Sequence, residues 1–195
     1  KMDYSQFFNM IPEAGLMAIL VIVFLADLFM KGEKKHTTLS MLTCVLLVAQ
    51  VVLCFNAQPA EAFAGLYTAT AAAQVMKVIL TAGAFIVVVM AQSWIEREDV
   101  LRKEGEFYEL VISTLLGMYM MISSGHFLMF FLGLEMASVP MACLVAFDKY
   151  KKNSAEGAAK FVLTATFSSG VMLYGISFLY GACGTLYFDD VAAKI

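Results

Sequence analysis

The stretch FLGLEMASVPMACLVAF, residues 131–147, is a long apolar run with one carboxylate near its centre, Glu135, and a proline five residues later, Pro140. What an acid does there depends on the medium around it. The chain of 195 residues is 61% hydrophobic and 15% charged, with a mean hydropathy of +0.79. A soluble domain carries about a quarter charged residues. Here the polar residues gather in short gaps between apolar runs of roughly 20, the length a helix needs to cross a hydrocarbon core of about 30 Å. Unpaired backbone groups are not tolerated in lipid, so each run is expected to be a helix. A soluble helical protein would show amphipathic stripes and charged faces, and the runs lack them. The fold class expected is all-α, a multi-pass transmembrane bundle.

Six helices follow from the runs, over about 12–31, 38–56, 74–95, 107–124, 126–147 and 157–181. Helices four and five are separated by little more than SSGH, which predicts a tight antiparallel hairpin. The cations then orient the bundle. Lys31, Lys34 and Lys35 follow helix one, Arg97, Arg102 and Lys103 follow helix three, and Lys149, Lys151 and Lys152 follow helix five. The opposite side holds only Lys1 and Lys194, and Lys77 and Lys160 fall within helical runs, which accounts for all 13 cations. By the positive-inside rule the nine loop cations face the cytoplasm and both termini face outward. The stretch KMDYSQFFNM before helix one has no basic signal-peptide region. An opening on Lys1 suggests a piece of a longer chain.

Nothing in the sequence suggests a phosphate loop, a nucleophile elbow or a metal-ligand spacing. Cys44, Cys54 and Cys143 fall inside helical runs and Cys183 just past the last one, and all four read as small apolar fillers. His36 and His126 read as interfacial polar residues, His126 being the better functional outsider because imidazole titrates near neutrality. Among the ionisable groups in helical runs, Asp27 lies a turn from the cytoplasmic end of helix one and can reach water. Lys77 lies near the outer end of helix three and can snorkel, with a structural role favoured. Glu109 in the first turn of helix four suits the positive end of the helix dipole.

Glu135 is different. It lies about 15 Å from either interface at 1.5 Å per helical residue, where a charge costs about 2.5–3.5 kcal/mol on the lenient scale. It is expected to take up a proton, find a cation or face water. Pro140 frees the carbonyl of Met136 and can kink the helix, although such kinks are also plain packing features. Lys160 is the second candidate, about four residues into helix six, with Thr164 and Ser168 on the same face behind it. Helix packing through small residues would enrich the same residue types. A depth mismatch of roughly 12 Å argues against a direct Glu135–Lys160 salt bridge. No residue in helices one to six offers Glu135 a cation at its own depth.

The F-L-G-L-E motif, the proline five residues after its acid, the following S-x-E-x-x-x-K-[FY] within KNSAEGAAKF and the Y-G-x-x-x-[LI]-Y-G close resemble subunit N of the proton-translocating NADH–quinone oxidoreductase, respiratory complex I. The best-matched region is roughly 106–185; the first three helices match mainly in hydropathy and order. The resemblance implies a subunit of about fourteen helices with outward termini and two inverted five-helix repeats. In it the helix-five acid works with a lysine of helix seven, and further lysines and water extend the path. Residue by residue, Glu135 matches that acid and Lys160 the helix-six lysine, both for proton translocation. Residues 1–106 would then be the first three membrane helices with their loops. Residues 107–195 would begin the proton-channel repeat, helices four to six. The implied setting is the cell inner membrane. The implied partners are the lipid bilayer and other membrane-arm subunits, with no nucleic acid, no cofactor in this chain and redox chemistry elsewhere. Three rivals stand beside this reading: the membrane subunit of a related cation/proton antiporter or hydrogenase, a structural membrane module without an ion path, and a small-molecule carrier.

Overall fold

The computed structural model describes residues 4–30, 35–96, 103–148 and 151–194. Lys1, Lys31, Lys34, Arg97, Arg102 and Lys149, six of the cations used to orient the bundle, lie outside the described residues. A 3-10 helix, Tyr4–Met10, leads directly into α1, Ile11–Phe29. There follow α2, Lys35–Asn56, a two-stranded antiparallel hairpin of β1, Ala60–Ala62, and β2, Tyr67–Ala69, and α3, Ala71–Ile95. The last four helices are α4, Glu104–Ile122, α5, Phe127–Val145, α6, Lys152–Cys183, and a short α7, Phe188–Lys194.

All six expected helices form. Several begin earlier than the apolar runs do. α4 starts at Glu104 and α6 at Lys152, because apolarity marks where lipid begins, while backbone propensity decides where the helix begins. KNSAEGAAK is alanine-rich and carries the i,i+4 pair Glu156–Lys160 at 2.6 Å, both favourable in a helix that projects beyond hydrocarbon. α6 ends at Gly184, which takes the left-handed conformation at φ +68° and donates its N–H to Tyr180. Cys183 is therefore the last residue of α6 and not a residue beyond it. The span α5 runs unbroken through Pro140.

The stretch Gln6–Phe29 and the helices α2, α3, α5 and α6 are long and apolar enough to cross a membrane. α4 is not among these candidate spans, with Glu104 and Glu106 in its first turn. It packs against α1, α3 and α5, and Tyr108, Ile112, Leu115 and Tyr119 on it are fully buried. A helix surrounded by helices has no need of an apolar surface on every side. The outer faces of α1 to α3 carry exposed Phe24, Leu28, Val45, Val52, Ile86 and Met90, which suits contact with lipid tails or further helices.

α4 and α5 form the tight hairpin expected from SSGH, and two glycines set its closeness. A Cβ on Gly117 would lie 2.4 Å from the Ala137 nitrogen, and one on Gly133 would lie 2.6 Å from the Met121 nitrogen. Only glycine lets the two backbones meet there.

The two ends of the bundle differ. At the basic end, Asp27 pairs with Lys35 at 2.9 Å, and the rings of Trp94, Phe107 and Phe147 lie 5.8–6.0 Å apart. The ends of α1, α3 and α5 and the starts of α2 and α4 therefore share one end. At the hairpin end, Gln6 accepts from the Phe63 N–H, Ser123 and Leu66 carbonyls accept from Thr68 and Gly125, and Gly125 accepts from Phe188. The first and last described elements thus share this end with the hairpin.

Candidate functional site

Glu135 is the ninth residue of α5, about 12 Å from its start and 15 Å from its end. It is half-buried, and among the described residues it makes no hydrogen bond or ion pair. The Gly133 and Ala137 contacts with α4 bracket it, so its backbone is held while its carboxylate has no fixed partner. Ser138 Oγ, nearby on α5, donates to the Leu134 carbonyl at 2.5 Å.

Lys160 is the ninth residue of α6, not the fourth, because the helix starts at Lys152. Val145, ten residues after Glu135, meets Ser154 and Gly157 of α6, so Lys160 still lies roughly 6–10 Å nearer the basic end than Glu135. The two do not pair. Lys160 is exposed and donates to Glu156 Oε1 at 2.6 Å. Thr164 does follow on the lysine's face, but its hydroxyl donates back to the Lys160 carbonyl at 2.8 Å.

The buried Glu–Lys pair that the structure does contain lies elsewhere. Glu13, third residue of α1, and Lys77, seventh of α3, meet at 2.6 Å with both side chains buried. Lys77 therefore does not snorkel. Tyr67 of β2 donates its hydroxyl to Glu13 Oε2 at 2.9 Å and accepts from Lys77 Nζ at 3.3 Å. Ser123, just past α4, donates to Glu13 Oε1 at 3.3 Å. The Tyr67 and Tyr119 ring centroids lie 5.4 and 5.5 Å from Nζ, which adds cation–π attraction. Burial, then the neighbouring carboxylate, pushes the Tyr67 hydroxyl far above its ordinary value, so it stays a donor. Glu13 also sits in the first turn of α1, where the helix dipole favours a negative charge.

Sequence reasoning passed over Glu13, because an acid opening an apolar run looks like an ordinary first-turn residue. One signal was available. α1 and α3 both start from the hairpin end, so Glu13 and Lys77 lie at similar depth on helices running the same way.

The remaining candidates fall at the ends. His36 sits in the first turn of α2 with Nδ1 2.5 Å from Glu104 Oε2 and Nε2 3.9 Å from Glu96 Oε1, which is more than an interfacial polar residue requires. His126 caps α5 by accepting from the Leu128 N–H at 3.2 Å, its ring edge-on to Tyr187. Glu109 lies in the second turn of α4, so Glu104 and Glu106 are the acids near its positive end and Glu109 is not a capping group. Asp27 is half-exposed beside Lys35, as expected for an interfacial acid.

Against known proteins, the family described as "NADH:quinone oxidoreductase/Mrp antiporter, TM" matches residues 124–195. The NADH-quinone oxidoreductase subunit N of Phocaeicola vulgatus is 52% identical over the whole chain, and that of Azobacteroides pseudotrichonymphae 42% identical; the chain covers 41% of each. In the solved structure of respiratory complex I from Thermus thermophilus with bound aureothin, one chain superposes with a TM-score of 0.74 at 25% identity, over 90% of this chain and 38% of that one. The chain thus spans about 40% of the length of the curated relatives it matches. On this evidence the chain is a multi-pass membrane protein and belongs to the family of NADH-quinone oxidoreductase subunit N.

Proposed function

We propose that this chain forms part of a proton-translocating membrane subunit of an NADH–quinone oxidoreductase, with Glu135 as the titrating group of the path. The observation that carries the reading is the mid-helix position of Glu135, clamped through its backbone yet without a charge partner among the described residues. A carboxylate with three good donors is locked in one protonation state. One without them changes state when a nearby charge changes. In this reading a positive charge approaching α5 draws a proton off Glu135, and its withdrawal returns the proton. Lys160, near the basic end of α6, is the feeding or receiving cation and needs only a rotamer change to leave Glu156. Residues 107–195 begin the channel repeat, and 1–106 flank it. Both termini face outward across the cell inner membrane, with other membrane-arm subunits and lipid as neighbours.

The test is Glu135→Gln in the full-length subunit within its assembled complex. Proton translocation should fall to a small fraction while assembly and NADH oxidation persist, and Glu135→Asp should restore part of it. Unchanged pumping by assembled Glu135→Gln would overturn the reading. Because the matched family description also covers antiporters, a second reading is an ion antiporter subunit. Proton movement independent of NADH would favour it.

A further inference from the structure

Buried polar side chains also line the interface of α2, α3 and α4, away from Glu135. They form two groups with an apolar layer between them. In the group nearer the basic end, Gln92 Nε2 donates to Ser40 Oγ at 2.6 Å. Tyr108 lies beside Ser40 without meeting it in hydrogen-bond geometry, so its fully buried hydroxyl has no partner among the described residues. His36 and Glu104 continue this group outward. In the group nearer the hairpin end, Tyr119 OH meets Thr81 Oγ1 and lies 3.1 Å from Cys54 Sγ. Gln50 Nε2 donates to the Pro12 carbonyl at 2.7 Å, while its buried Oε1 has no partner among the described residues.

Between the groups stand Leu47, Val88, Ile112 and Leu115, each 0% exposed and part of one buried cluster. On α4 the eleven residue steps from Tyr108 to Tyr119 span about 16 Å, and the eleven from Thr81 to Gln92 on α3 span as much. A buried polar atom without a partner is a standing cost, and in native proteins it marks the place of an ordered water. Each group contains one.

We propose that both groups hold water, one group connected to each end of the bundle, and that Leu47, Val88, Ile112 and Leu115 form a hydrophobic seal that keeps them from joining into a proton leak. A dry apolar constriction stops proton hopping because no donor or acceptor lies within reach, the principle by which channels close on dewetting. The seal lies on α2, α3 and α4, whereas Glu135 lies on α5. Its test is passive flux without NADH, so it fails or survives independently of that reading.

The full-length subunit in its assembled complex is placed in vesicles, a pH gradient is imposed under a potassium–valinomycin clamp, and proton flux is recorded. Leu115→Asn should raise the flux severalfold over wild type. Adding Gln50→Leu or Tyr108→Phe, which removes one water-holding group, should bring it back. NADH oxidation and the yield of complex report on folding. Val88→Thr, nearly the same shape, carries the same test if Leu115→Asn does not assemble. An assembled seal variant with wild-type flux overturns the proposal. So does a raised flux that persists after Gln50→Leu and after Tyr108→Phe.

Discussion

Glu13 accepts from three side-chain donors, Lys77, Tyr67 and Ser123, whereas Glu135 accepts from none among the described residues. Both are glutamates among apolar helices, and their surroundings are opposite. Around Glu13 two donors meet Oε1 and one meets Oε2, and the first turn of α1 adds its dipole. Around Glu135 only the backbone is fixed. The difference separates a clasp, which joins α1, β2, α3 and the end of α4, from the carboxylate proposed above to carry the proton. An acid in a membrane helix is thus to be judged by its donors and not by its depth.

Three substitutions sharpen or break that comparison. The largest effect is expected from Lys77→Met, which strands a buried carboxylate and should cost about 3–5 kcal/mol. The assembled yield and thermal stability of the complex should fall together. The double variant Glu13→Gln/Lys77→Met should regain much of the loss, since a neutral pair removes the stranded charge. If Lys77→Met were as stable as wild type, the clasp would be no clasp. Gly133→Leu comes next. Its side chain meets the Met121 backbone, and overpacking of this kind costs about 1–3 kcal/mol. Because it displaces α5 beside Glu135, proton translocation per assembled complex should also drop, while Lys77→Met should not change that ratio in the molecules that assemble. Equal ratios for both would blur the distinction.

The third substitution is Tyr67→Phe, which removes the hydroxyl's bonds to Glu13 and Lys77 while stranding no charge, and should cost less than Lys77→Met. Its signature lies in alkali. The Tyr67 hydroxyl is raised in the folded chain by burial and then by Glu13, so the folded state favours its protonated form. The stability it adds is complete below the ordinary tyrosine value near 10 and declines as pH climbs beyond it. Tyr67→Phe should flatten that alkaline decline, visible in thermal unfolding scans at rising pH. A decline of wild-type steepness in the variant would assign it to other groups.

The helices and the position of Glu135 were legible because lipid imposes long apolar runs, and a lone acid in one stands out. What the runs hide is structure outside lipid. The starts of α4 and α6, polar and helix-forming, lie before their apolar portions. The hairpin strands are three residues each, too short for an alternation to register, and they are pinned by backbone bonds to Ser123 and Gly125 that no local pattern announces. The structural role favoured for Lys77 holds, but its partner was hidden for a related reason. A lysine near a helix end has two ways to satisfy its charge, water or a buried acid, and only packing between distant segments decides. The role of Glu135 drew on the motif resemblance as much as on its depth.

The clasp also has a schedule. Sixty-four residues separate Glu13 from Lys77. A ribosome adding about 5–20 residues per second needs roughly 3–13 s to bridge that interval. Throughout it the nascent chain carries an acid whose counter-charge has not yet been made. Glu13 stands at the very start of α1, so it can wait in the headgroup layer and be drawn inward only when Lys77 emerges, which makes completion of α3 the moment at which this corner of the bundle matures.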